Sequence, residues 1–575
     1  MNRSRKITDT VFLLLFFGAV TLYFAIWYGF HTINLEQLQL FEWTGVYFAQ
    51  TVAVPGGFAD YLGRFLTQFF HTPIPGALII AGLLVLIRFL ILRLCRRKDV
   101  LVAVLSYIPP VLLLVVMCYR FPTVLSYIPP VLLLSFALVL GALLSVTKIS
   151  NTRARRICAL ISIPVLYYLA GSFVLLFAAG IALRERNKAY GAIAILLAVA
   201  CPLVAYPLLS YPLGRLLYGL HYYKVHVHMP VWPWIAVAAT LALLAFARTE
   251  HPSGSFRYGP LAYGLLFAAG TAAVLLASSQ VDEQSLKYSI LTGKRAWNRI
   301  VTEATRRAPR TYSETACLNL ALCKTGHLGG HMFDYLQDGP ETLLPHENTP
   351  HHDGLSTAEI FYQLGMVNNA RRYCFEALGV IPDYQKSAPV FKLLAETSIV
   401  NEKYELARKY LTALSHTLYY RKWANERLAK FEDLMELMIM EEYAMKHLER
   451  YKGEDYIFDY NAADVSLRQL LAEYPGNITA LNYLLAWSLL NKDLGAFMAD
   501  CPFDGFTEAV PKAYQEAFLL NWDMFGGMTE DLPPFINKRF VSRKESFTRD
   551  FETNVPMNQM LQRYGDTYWF YYYFK

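Results

Sequence analysis

Between residues 10 and 279 long apolar runs alternate with short polar joints, and from residue 280 onward the apolar positions shrink to helical stripes within charged sequence. The long runs lie at 10–30, 76–95, 99–118, 124–147, 189–211, 232–248 and 259–279, with a 27-residue stretch at 157–183. About 20 helical residues cross a bilayer, so each run is a candidate span. The pattern predicts an all-α protein with a polytopic membrane domain over 1–279 and a helical domain over 280–575. The first run is too long for the apolar core of a cleavable leader and continues into the bulky IWYGF, which argues for a retained helix.

The stretch ICALISIPVLYYLAGSFVLLFAAGIAL decides the side of the tail. As one helix it gives eight spans; a turn near Ala170-Gly171-Ser172 gives nine. Basic residues concentrate in cytoplasmic loops. With the turn, 17 Lys and Arg fall inside and only Arg64, Arg120, Arg215 and Lys224 outside; without it the split is 14 to 7. The nine-crossing arrangement is therefore expected, with a cytoplasmic N-terminus and an exported tail, although legs of 12 to 14 residues are short for a bilayer.

The outer loop, 31–75, carries a second pattern. In PGGFADYLGRFLTQFF the apolar Phe58, Tyr61, Leu62, Phe65, Leu66 and Phe69 recur at helical spacing, while Asp60, Arg64, Thr67 and Gln68 occupy the other side. This predicts a helix lying in the membrane interface. The loop presents Glu36, Glu42 and Asp60 near the headgroups. Glu36 has the most apolar frame, and Glu42 and Asp60 are expected to be solvated.

VLSYIPPVLLL occurs twice, at 104–114 and 124–134. Two copies make no array, because stacked repeats need at least three units to bury their faces. The copies run in opposite directions at different depths, which identifies a tandem duplication. Pro109-Pro110 falls mid-span and predicts a kink; Pro129-Pro130 falls in the first turns, where proline is tolerated.

In the tail, FYQLGMVNNARRYCFEALGVIP fits the tetratricopeptide pattern, with Phe361, Gly365, Ala370, Ala377 and Pro382 at the positions that two antiparallel helices require. EKYELARKYLTAL and YPGNITALNYLLAWSLL resemble further partial units.

Charge and chemistry add little to this layout. Up to Ser279 basic residues outnumber acidic ones 21 to 7, and beyond it acidic residues lead 39 to 32, so the net +7 reflects membrane orientation and no nucleic-acid partner is implied. The sequence contains no phosphate loop, dinucleotide fingerprint, nucleophile elbow or HExxH motif, and no cofactor is expected. His327 and His331, like His346, His351 and His352, lack the spacing of a metal site, and His226 and His228 read as a solvated loop pair. The eight cysteines suggest no disulfide framework.

Taken together, LEQLQLFEWTGVYFAQTVAVPGGFADYLGRFLTQFF, the segment from FYQLGMVNNARR to LYYRKWA and the ending GDTYWFYYYFK resemble an uncharacterised family of bacterial multi-pass membrane proteins with a tetratricopeptide-like tail. That resemblance implies the bacterial inner membrane and a periplasmic tail, and brings no activity. A looser resemblance of layout is to membrane glycosyltransferases that use polyprenyl-phosphate sugars, which also have an outer loop with interfacial helices and acids, a short hairpin running into basic RERNK, and an external C-terminal domain. It implies Glu36, Glu42 or Asp60 as general base and Arg64, Arg120 or Lys224 at the lipid phosphate. Two readings follow: a tail that recruits or organises envelope proteins beside the lipid bilayer, or a transferase acting on a lipid-linked sugar.

Overall fold

The computed structural model describes residues 3–97, 99–118, 129–218, 231–248, 259–345, 354–379, 381, 386–432, 434–452, 458–506 and 509–575. Among these residues every regular element is helical. The chain divides into two compact units: residues 1–283 with 381–388 and 416–421, and residues 284–380, 389–415 and 422–575.

Among the described residues the first unit holds fourteen α-helices: α1 (Arg3–Leu22), α2 (Gly29–Gln37), α3 (Gly45–Val52), α4 (Gly57–Thr67), α5 (Pro73–Leu94), α6 (Val100–Leu105), α7 (Ile108–Cys118), α8 (Pro129–Thr147), α9 (Thr152–Ala170), α10 (Val174–Arg184), α11 (Lys188–Ala205), α12 (Leu213–Tyr218), α13 (Val231–Phe246) and α14 (Gly259–Ala277). Among the described residues seven stretches are long and apolar enough to cross a membrane: Ile7–Trp27, Pro73–Leu94, Val100–Cys118, Pro130–Thr147, Thr152–Arg184, Lys188–Leu208 and Gly259–Ala277. The run expected at 232–248 forms a shorter apolar helix. Polar residues mark where these helices begin. The side chains of Asp99, Asn151 and Asn187 accept from backbone N–H groups at the starts of α6, α9 and α11, satisfying donors that the helix itself leaves open.

The stretch at 157–183 turns back. Gly171, at φ 72°, takes a conformation that other residues rarely adopt, and it ends α9. The two ends of the resulting hairpin meet: Arg156, near the start of α9, donates to both oxygens of Glu185, just after α10, at 3.2 and 2.8 Å. A continuous 33-residue helix would hold these residues roughly 40 Å apart. The legs are unequal, with 19 residues in α9 and 11 in α10. At 1.5 Å per residue, α10 is about 17 Å long, well short of the hydrocarbon thickness.

The first VLSYIPPVLLL copy breaks its helix at Ser106–Tyr107, between α6 and α7, because the paired prolines that follow remove backbone donors. In the second copy α8 begins at Pro129, where proline costs little. Residues 119–128, which include the start of that copy, lie outside the described residues.

In the second unit, helices Gly354–Leu364 and Val367–Gly379 form an antiparallel pair joined through Gly365 and Met366, with Phe361 stacked on Tyr373 at 5.2 Å. Helices Ala463–Glu473 and Ile478–Leu490 form another pair. Asn477 caps the second helix of that pair, and its side-chain amide also donates to the Leu364 carbonyl at 2.8 Å.

Candidate functional site

Helices α2, α3 and α4 and the connection between α2 and α3 carry the acidic residues that the sequence singled out: Glu36 in α2, Glu42 in the connection and Asp60 in α4. The α4 helix is amphipathic, as its spacing predicts, but its facing is the reverse of that in a water-soluble protein. Ala59, Asp60, Gly63, Arg64 and Thr67 are buried, while Phe58, Tyr61, Leu62, Phe65 and Leu66 remain partly exposed. Gly63 permits this arrangement. A β-carbon there would lie 2.4 Å from a Val131 methyl and 2.7 Å from the Val131 α-carbon, so α4 rests directly on the backbone of α8. The aromatic face is left for a non-aqueous surrounding, as an interfacial helix requires.

The buried polar face is largely satisfied internally. Arg64 Nε donates to both carboxylate oxygens of Asp60 at 2.8 Å. Burial alone would lower the Arg64 pKa; the charge of Asp60 and the neighbouring Tyr47 more than offset this and raise it. The Gln39 amide donates to the Arg64 carbonyl at 3.0 Å, and the Trp43 indole donates to Gln68 at 3.0 Å. Asp60 is therefore not solvated, contrary to the sequence expectation. An i,i+4 partner on a small-residue face fits a buried ion pair better than an interfacial acid. Glu42 is also mostly covered, and Lys386 donates to it at 3.0 Å.

Glu36 stands apart. It is buried near the end of α2, 6% exposed, and its Oε2 has no hydrogen-bond partner. The imidazole of His71 lies close by, with its Nδ1 3.5 Å from that oxygen and itself without a hydrogen-bond partner. The contact is too long for a good hydrogen bond. The ring of Tyr419 stacks on His71 at 4.3 Å, and Tyr420 meets it edge-on. Burial first, and then the Glu36 charge, drive the Tyr420 hydroxyl well above its ordinary range, so it stays protonated. A buried carboxylate and a partly exposed imidazole 3.5 Å apart, each with an unpaired hydrogen-bonding atom, form a pair able to take up and pass on a proton.

His71 escaped the sequence reading because nothing in QFFHTP marks it; only the fold brings it to Glu36. A second missed pair is His31 and Glu283, at 2.6 Å. Glu283 also accepts the backbone N–H groups of Phe30 and His31 at the start of α2. With both oxygens engaged at a helix N-terminus, this pair holds α2 in place. Of the expected phosphate-binding cations, Arg64 is committed to Asp60, and Arg120 and Lys224 lie outside the described residues. His331 bonds Asp334 at 2.7 Å; His226, His228, His346, His351 and His352 lie outside the described residues.

An apolar groove of about 460 Å³ runs along α1 and the helical turn Tyr23–Trp27 that follows it, from Phe12 to Trp27, and is lined on its other side by Tyr107, Tyr263 and Val274. Near its Phe12 end, Asp9 pairs with Arg88 and accepts from the Tyr263 hydroxyl at 2.7 Å, while Arg88 sits 3.9 Å over the Tyr107 ring.

One family model matches this chain, over residues 3–575. The chain belongs to DUF6057, a family of unknown function. Neither the curated proteins nor the solved structures contain a match. The DUF6057 match takes in residues of both units.

Proposed function

We propose that this protein is a transferase of the bacterial inner membrane that moves a sugar from a polyprenyl phosphate to an acceptor at the outer loop. The observation that carries the reading is the buried Glu36 carboxylate with an open oxygen beside His71. Glu36 takes the proton of an acceptor hydroxyl as that oxygen bonds to the anomeric carbon. The bond from that carbon to the phosphate oxygen breaks, and the lipid phosphate leaves with the electron pair. His71 is the neighbouring group through which the proton can depart. The groove along α1, within the usual range for ligand sites, suits an isoprenoid or acyl chain. Arg120 and Lys224 are the loop cations left to meet the phosphate. The back-turned hairpin, whose ends meet at Arg156 and Glu185, supports a return of the chain to the side from which it entered, the parity of the nine-pass arrangement, which would place the tail in the periplasm.

The test is complementation of a deletion strain by Glu36→Gln and His71→Asn. Loss of an envelope glycan at normal protein abundance is expected for both, and full complementation by both would overturn the proposal.

A second reading rests on the paired antiparallel helices around Phe361, Tyr373 and Asn477, which support a tetratricopeptide-like tail that recruits envelope proteins. Complementation by both site variants, together with failure of a chain truncated after Ser279, would favour it.

A further inference from the structure

At the end of the first unit where α9 starts and α10 finishes, four arginines converge on one cavity. Arg96, Arg155, Arg156 and Arg184 line a space of about 90 Å³ together with Thr147 and Tyr190. That volume is several times what one water needs. Glu185 is the single carboxylate in the lining, and it is already engaged: Arg156 grips both its oxygens, Arg155 lies 3.9 Å away, and the Arg186 backbone N–H donates to it at 3.0 Å. The Arg156 grip holds the Glu185 carboxyl down to about 2, so it remains ionised at any physiological pH. Arg184 donates to the Leu94 carbonyl, a neutral acceptor that leaves its charge uncompensated. The lining therefore carries four positive charges against one negative.

An excess of positive charge in an accessible recess attracts an anion. Guanidinium groups also present planar, paired donors that match phosphate oxygens. The Glu36 region lies in the outer loop, near the other ends of α8 and α9, where Gly63 abuts Val131 and the Gly56 N–H donates to Tyr168. The basic cavity is therefore separate from it, and the inference does not depend on the transferase reading.

We propose that the Arg96–Arg155–Arg156–Arg184 cavity binds a phosphate group, carried by an anionic phospholipid headgroup or as a free phosphate. Arg96 and Arg184 make the principal contacts, while Arg156, held by Glu185, shapes the wall.

The experiment uses the full chain. Inorganic phosphate binding is measured by titration calorimetry in neutral detergent, and phosphatidylglycerol retention is measured by native mass spectrometry after extraction from phosphatidylglycerol–phosphatidylcholine nanodiscs. Arg96→Gln and the double variant Arg96→Gln/Arg184→Gln are compared with Arg186→Gln, which removes the same charge from an exposed neighbour outside the cavity. The expected result is at least a tenfold weakening for the double variant, a smaller loss for Arg96→Gln and little change for Arg186→Gln. Saturable binding of inorganic phosphate that competes with lipid assigns a free phosphate; retention of phosphatidylglycerol without phosphate binding assigns a headgroup. Binding of neither ligand, or equal losses in Arg96→Gln and Arg186→Gln, overturns the proposal. Since Arg96 is exposed, its single variant keeps the test decisive even if the double variant fails to fold.

Discussion

Glu516 in the second unit provides a test of the structure through pH. It is fully buried, its Oε2 accepts the backbone N–H of Tyr568 at 2.8 Å, and its Oε1 has no partner. Burial pushes its carboxyl up to about 8, against the opposing pull of Lys512 and Arg543 and with Asp566 adding to the rise. Lys512 is itself shared between Asp334 at 3.0 Å and Asp566 at 2.9 Å, so it compensates Glu516 only in part. The folded state thus holds a proton that an unfolded glutamate releases near pH 4.5. Between these two values the native chain binds more protons than the unfolded chain, so stability must fall as pH rises from about 4.5 to about 8. At about 1.4 kcal/mol per pH unit, the loss by pH 7 is on the order of 3 kcal/mol. Glu516→Gln keeps an acceptor for Tyr568 and removes the titration. Hydrogen exchange of the Tyr568 and Trp569 amides in the detergent-solubilised chain, corrected for intrinsic rates, reads this locally. In the wild-type chain protection should decrease from pH 5 to pH 8, and in Glu516→Gln that dependence should flatten. Equal slopes in the two proteins would refute the assignment.

Three further outcomes are expected. Gly63→Ala forces α4 away from Val131 and should lower the detergent melting temperature, in keeping with overpacking costs of about 1–3 kcal/mol; an unchanged melting temperature would contradict the close approach of α4 and α8. Asp60→Asn leaves Arg64 buried without its counter-ion and should reduce folded protein by about 3–5 kcal/mol of stability, seen as lost abundance before any loss of activity, whereas Glu36→Gln should keep normal abundance. For the nine-pass arrangement, cysteine at exposed Arg186 should resist a membrane-impermeant thiol reagent in intact cells and cysteine at exposed Arg306 should react, with the native thiols replaced; labelling in the reverse pattern would place the tail on the other side.

Along the chain, the apolar runs determined the all-helical class and the positions of the spanning helices, because a bilayer demands about 20 apolar residues whatever the neighbours are. The spacing of Phe58 to Phe69 likewise determined that α4 is a helix with two faces. Which face turns inward was not legible, since lipid and protein interior are equally apolar and the sequence pattern cannot distinguish them. That choice was made by Gly63 against Val131 and by the Asp60–Arg64 pair. The turn at Gly171 was legible from charge counts, but its proof is a contact between Arg156 and Glu185, 29 residues apart. The burial of Glu36 could be read from Leu35, Leu38 and Phe41 around it. Its partner His71, the stacking of Tyr419 and the convergence of Arg96 with Arg155, Arg156 and Arg184 were decided only by the tertiary structure, because local periodicity reports which side of a helix a residue occupies and nothing about which distant side chains the fold sets opposite it.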